Sequence, residues 1–102
     1  MPINVIILAG GELPHELQPV SDVRVKALLR IGEHTLLERT AHALAGSSMV
    51  GNIAVVGNDD VLRERPAHLA HVQAGSTIVE NLYRGFMHHG GSLDDEFLVL
   101  SP

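Results

Sequence analysis

At 102 residues the chain has room for one small domain, and its 45% hydrophobic share supports a folded core rather than a disordered tail. Seven basic against 12 acidic side chains leave a net charge of -5, which argues against the phosphate-tracking surface of a nucleic-acid binder. With no cysteine there is neither a disulfide framework nor a thiolate zinc site, and the apolar run Ile3–Leu8 is too short for a secretory core or a membrane span, so a cytoplasmic protein is expected.

Ile3-Asn4-Val5-Ile6-Ile7-Leu8 is rich in β-branched residues and closes on Gly10-Gly11, the pattern of a parallel strand buried on both faces. Glu12 to Arg24, with Pro14 and Pro19 and no period, is expected to be a long loop leaving that strand. Thr35-Leu36-Leu37-Glu38 spells a capping box, Leu37, Ala41 and Leu44 recur at helical spacing, and Gly46 is the expected stop. Ile53-Ala54-Val55-Val56 before Gly57 predicts a second buried strand. Asn58 or Asp59 is placed to cap a short helix over Asp60 to Arg65, which Pro66 ends.

Thr77-Ile78-Val79-Glu80 is a second capping box, opening a helix that runs to His88 and breaks at Gly90-Gly91. Its stripe Ile78, Val79, Leu82 and Phe86 is expected to pack on the sheet rather than to serve a partner. A third strand is predicted at Phe97-Leu98-Val99-Leu100. Strands alternating with helices imply a Rossmann-like three-layer α/β/α fold with a mainly parallel sheet, truncated after that third strand. Ligands of such sheets bind beyond the carboxyl ends of the strands, after Leu8, Val56 and Leu100. The chain reaches only Ser101-Pro102 beyond the third strand, and so short a sheet with open edges makes self-association a side expectation.

Glycines directly after a buried strand let a backbone approach a ligand and aim amides at anions. In isolation such a pair is more often ordinary turn chemistry, and neither the three-glycine dinucleotide pattern nor a P-loop is present. Lys26, the only lysine, offers a point positive charge suited to phosphates, although in isolation a solvated surface lysine is the better reading. Asp94 and Asp95 precede the third strand and read as a solvated turn. The seven histidines, among them His68, His71, His88 and His89, complete no recognisable ligand spacing and read as solvated helix-end residues.

Leu8-Ala9-Gly10-Gly11, then Lys26-Ala27-Leu28-Leu29-Arg30-Ile31-Gly32 and Leu36-Leu37-Glu38, resembles the opening of the nucleotidyltransferases related to molybdenum cofactor guanylyltransferase and to sugar-phosphate nucleotidylyltransferases. The likeness runs on through Val55-Val56-Gly57 and Gly75-Ser76-Thr77-Ile78-Val79-Glu80-Asn81-Leu82, across nearly the whole chain, which would make residues 1–102 the amino-terminal part of such a domain. The resemblance implies binding of a nucleoside triphosphate and transfer of its nucleoside monophosphate to a phosphorylated small-molecule acceptor, with release of pyrophosphate. By matching position it gives Ala9, Gly10 and Gly11 backbone contacts to base and phosphates, and Lys26 the neutralisation of phosphate charge. Gly75, Ser76 and Thr77 would lie near the nucleoside, where a helix start also favours an anion, and Asn58 is a further candidate for base or acceptor contact.

The sequence departs from the family pattern at Leu13 and His15, where glycine and arginine are usual, and at Val25, where proline is usual. Magnesium is the implied cofactor, held by an aspartate after the strand that matches Phe97–Leu100, a position these 102 residues do not reach. The expected function is therefore a nucleotidyltransferase-type domain, catalytic when complete, with a non-catalytic Rossmann-like nucleotide-binding or interaction module as the alternative.

Overall fold

A computed structural model describes residues 3–11, 16 and 24–102 of the chain. Ile3–Leu8 forms strand β1, which pairs in parallel with β4 (Val50–Gly57) on one side and with β6 (Phe97–Leu100) on the other. A central strand must be apolar on both faces, and Val5, Ile6 and Ile7 are all buried. β5 (Ala70–Gln73) adds to the far edge of β4, again in parallel, giving the order β5-β4-β1-β6.

Alternation along β1 sorts the two faces. Val5, Ile7 and Ala9 join Leu37, Ala41, Val55, Val61 and Leu69 in one buried cluster. That cluster lies under helix α1 (Leu36–Ala45), the 3₁₀ turn Lys26–Leu28 and helix α2 (Asp59–Glu64). Each fully buried Leu, Ile or Val of this kind contributes about 1.5–3 kcal/mol. Ile6 points the other way, to helix α3 (Ile78–His88), where a Cβ built on Gly85 would stand 2.6 Å from Ile6 Cγ2. The absence of a side chain at Gly85 lets α3 lie directly on the sheet, and the three-layer α/β/α arrangement follows.

The expected starts and stops hold in detail for α1. Thr35 accepts from the Glu38 amide at 3.0 Å, and the Glu38 carboxylate accepts from the Thr35 amide at 2.9 Å. Asn58 rather than Asp59 caps α2, its Oδ1 accepting from the Val61 amide at 3.2 Å. Between the 3₁₀ turn and α1, the strands β2 (Arg30–Ile31) and β3 (His34–Thr35) form a hairpin closed by Gly32-Glu33. Gly32 sits at a φ of 72°, as the first position of such a tight turn demands.

Two expectations need correction. The sheet has four parallel strands, not three, because Ala70-His71-Val72-Gln73 is an edge strand. An edge strand alternates polar with apolar residues and so lacks the continuous apolar run that marks a central one. The stripe on α3 does not pack on the sheet: Ile78 and Val79 are 74% and 78% exposed, and Leu82 is also exposed. Contact made through Gly85 turns the larger apolar residues aside, and only Phe86 stays half-buried, edge-to-face with Phe97 at 5.4 Å.

The loop expected over Glu12–Arg24 lies outside the described residues except for Glu16 and Arg24, as do Leu13 and His15. Among the described residues no helix is long and apolar enough to cross a membrane.

Candidate functional site

The strands of a parallel sheet all deliver their following residues to one edge. Here Gly10 and Gly11 leave β1, Asn58 leaves β4, Ala74 to Thr77 leave β5 and Ser101 leaves β6. Together with Leu8, Ile78 and Asn81 they line one open cleft of about 620 Å³. Five of the sequence-derived candidates besides Asn58 are Gly10, Gly11, Gly75, Ser76 and Thr77, and the fold gathers all six. Ser101 joins them, so the last strand does contribute to the cleft.

Gly10 and Gly11 have no positive φ, unlike Gly32, Gly90 and Gly91, so the turn itself does not require glycine at either place. Among the described residues a Cβ on Gly11 would meet nothing within 4 Å, and one on Gly10 would come 3.4 Å from Asn81 Nδ2. What glycine supplies at position 11 is open space over the backbone, the arrangement that close approach of a ligand needs. Ala9 is placed differently from expectation. It is buried in the core, and its amide donates to the Val56 carbonyl at 2.9 Å, so it has no N–H to offer a ligand.

Lys26 is tied to the glycine turn by its backbone: its amide donates to the Gly11 carbonyl at 2.9 Å. Buried Ala27 and Leu28 anchor the 3₁₀ turn that carries it. Its side chain is exposed and is not among those lining the cleft. Asn58 does line it, but with Oδ1 committed to capping α2, its Nδ2 amide is the group left for a ligand.

The start of α3 is more fully satisfied than a capping box alone would make it. Thr77 Oγ1 accepts from the Glu80 amide at 3.0 Å, as expected. The Glu80 carboxylate, however, reaches past Thr77 to Ser76, accepting from its amide at 3.1 Å and its hydroxyl at 3.2 Å, and it pairs with Arg84 at 2.8 Å. The Ser76 amide first, and the Arg84 guanidinium next, hold the Glu80 carboxyl below its ordinary range. The anion that this helix start was expected to take from a ligand is therefore supplied by the protein's own Glu80.

Asn81 is the residue that sequence reasoning did not single out. Its Oδ1 accepts from the Gly75 amide at 2.6 Å, and its Nδ2 lies against Gly10, so one side chain ties the turn after β1 to the turn after β5. A polar amide four residues before Gly85, and so on the same face of α3, was the available signal.

A separate hollow of about 320 Å³ lies between the 3₁₀ turn and α2, with Arg24, Arg30 and Arg63 facing Asp60 and Glu64. Arg63 is paired with Asp60, and Arg30 donates to the Glu33 carbonyl at 3.0 Å. Asp94 and Asp95 lie in an exposed turn at the amino end of β6, far along the strand from the cleft. Among the described residues no three His, Asp or Glu side chains gather as a metal site. The histidines are not simply solvated. Nε2 of His71 bonds the Gly57 carbonyl and Nε2 of His89 the Val5 carbonyl, each at 2.9 Å.

No protein-family model and no curated protein matches the sequence. Among solved structures, the chain is similar to a nucleotidyl transferase from Methanothermobacter thermautotroptrophicus, with a TM-score of 0.71 at 18% identity over 98% of this chain. The chain has a nucleotidyltransferase-like fold. It spans 50% of the length of that structure's chain. In the nucleotidyltransferase-like fold seen here, the cleft occupies the strand-end position where α/β sheets of this kind hold their ligands.

Proposed function

We propose that the cleft binds a nucleoside triphosphate, and that the domain, when complete, transfers the nucleoside monophosphate to a phosphorylated small-molecule acceptor with release of pyrophosphate. The observation that carries this reading is the space over Gly11, where a Cβ would meet none of the described residues within 4 Å and φ is not positive, with the Lys26 amide hydrogen-bonded to that same residue. The kinship with molybdenum cofactor guanylyltransferase and sugar-phosphate nucleotidylyltransferases belongs to this proposal and rests on the motifs around Gly10-Gly11, Lys26 and Gly75-Ser76-Thr77.

Phosphoryl transfer asks a protein mainly for positioning and charge neutralisation. Lys26 supplies charge beside the glycine turn, and the backbone at Gly11 lets phosphates approach. Gly75, Ser76, Thr77 and the Asn58 amide form the remaining wall. Magnesium would accompany the triphosphate. The described residues that line the cleft include no carboxylate, so by themselves they do not make a divalent-cation site. Leu13 and His15, where the family pattern has glycine and arginine, favour the second reading, a non-catalytic Rossmann-like nucleotide-binding or interaction module.

Calorimetric titration of the chain with each of the four ribonucleoside triphosphates tests the proposal. Saturable binding that weakens tenfold or more in Lys26→Ala is the expected result; unchanged affinity in that variant would remove Lys26 from the site.

A further inference from the structure

The orientation of the Asn81 amide is set by its partner. The Gly75 N–H can only donate, so the side-chain atom 2.6 Å from it is Oδ1, and Nδ2 must face the other way. Nδ2 then stands 3.4 Å from the point where a Cβ on Gly10 would be, in the cleft that Gly10, Gly75 and Asn81 all line. No acceptor among the described residues takes its protons, and no buried side-chain nitrogen or oxygen is left without a partner, so this donor opens on the cleft.

Charge decides which part of a nucleotide it meets. Glu80 holds a carboxylate on the Ser76 amide and hydroxyl at this same end of the cleft. A phosphate placed there would face a like charge and amides already engaged. The uncharged part of a nucleotide fits the Gly75–Asn81 end, and the phosphates fit the Gly11 end beside Lys26.

We infer that Asn81 reads the nucleobase, donating from Nδ2 to an edge carbonyl oxygen, so that the cleft takes an oxo base, guanine or uracil, over adenine or cytosine. The latter two carry an amino group at the corresponding place, and two donors facing each other would both lose their partners. The inference rests on the nucleotide reading of the cleft and adds the base class to it.

The test measures dissociation constants of GTP, UTP, ATP and CTP for the chain and for Asn81→Asp. The aspartate keeps an acceptor for the Gly75 amide and removes the donor, while any repulsion of the triphosphate acts on all four ligands alike. The wild type is expected to prefer GTP or UTP tenfold or more over both ATP and CTP, and Asn81→Asp to erase that ratio with its thermal melt retained. Equal binding of the four, or a preference for ATP or CTP, overturns the inference while leaving a nucleotide site in place. A preference that survives in Asn81→Asp overturns it as well. Should that variant fail to fold, the wild-type ranking still decides. Absence of binding by any of the four overturns both this inference and the nucleotide reading.

Discussion

The Glu80 carboxylate accepts from the Ser76 amide at 3.1 Å, one residue before the position a capping glutamate normally serves. The segment entering α3 is thereby fixed by its own helix, with Arg84 on the other carboxylate oxygen. Because Glu80 is held below its ordinary range, the stability it contributes is fully present above the unfolded glutamate value of ~4.3 and is lost as pH falls through the lower folded value. Thermal melts of the chain and of Glu80→Gln, taken from neutral pH downward, should differ most near neutrality and converge at the acid end. A constant gap at all pH values would show that the charge is not what matters.

Gly85 sets the distance between α3 and β1. Alanine gains about 1 kcal/mol of helix propensity over glycine in a helix interior. At this site its Cβ would fall 2.6 Å from Ile6 Cγ2, an overpacking that typically costs about 1–3 kcal/mol. Gly85→Ala is expected to destabilise on balance despite its better propensity, with Gly85→Val worse, as read by urea denaturation. Stabilisation by Gly85→Ala would mean that the helix shifts freely on the sheet.

Much of the fold was legible in the residues themselves. The continuous apolar runs at Ile3–Leu8 and Ile53–Val56 announce central strands, and Thr35 with Glu38 announces α1, because each depends on local chemistry. Ala70–Gln73 was not legible, since an edge strand is short and half polar. The helix stripe at Ile78, Val79 and Leu82 misled for a related reason: hydrophobic periodicity marks a face but not what lies opposite, and Gly85, with no side chain, makes the contact instead.

The candidate site divides along the same line. Gly10, Gly11, Asn58 and Gly75-Ser76-Thr77 could be placed because strand ends converge in any parallel sheet. Ala9 has its amide taken by Val56, and Asn81 bridges two turns far apart in sequence, and neither relationship has a local signature.

Gly11 separates structure from function most cleanly. Among the described residues a side chain there meets nothing within 4 Å, and it needs no unusual φ, so Gly11→Val should shift stability by no more than about 0.5 kcal/mol. The same side chain fills the space the proposed ligand needs, and triphosphate affinity should fall at least tenfold. Unaltered binding in a stable Gly11→Val would move the ligand away from this turn.

The central claim is that the strand-end cleft is the nucleotide site, and amide chemical-shift mapping of the ¹⁵N-labelled chain during titration with the four ribonucleoside triphosphates tests it most directly. Saturable shifts concentrated at Gly10, Gly11, Lys26, Asn58, Gly75, Ser76 and the Asn81 side-chain amide are the predicted result. Shifts confined to the hollow around Arg24, Arg30 and Arg63, or none at all at millimolar ligand, would contradict it.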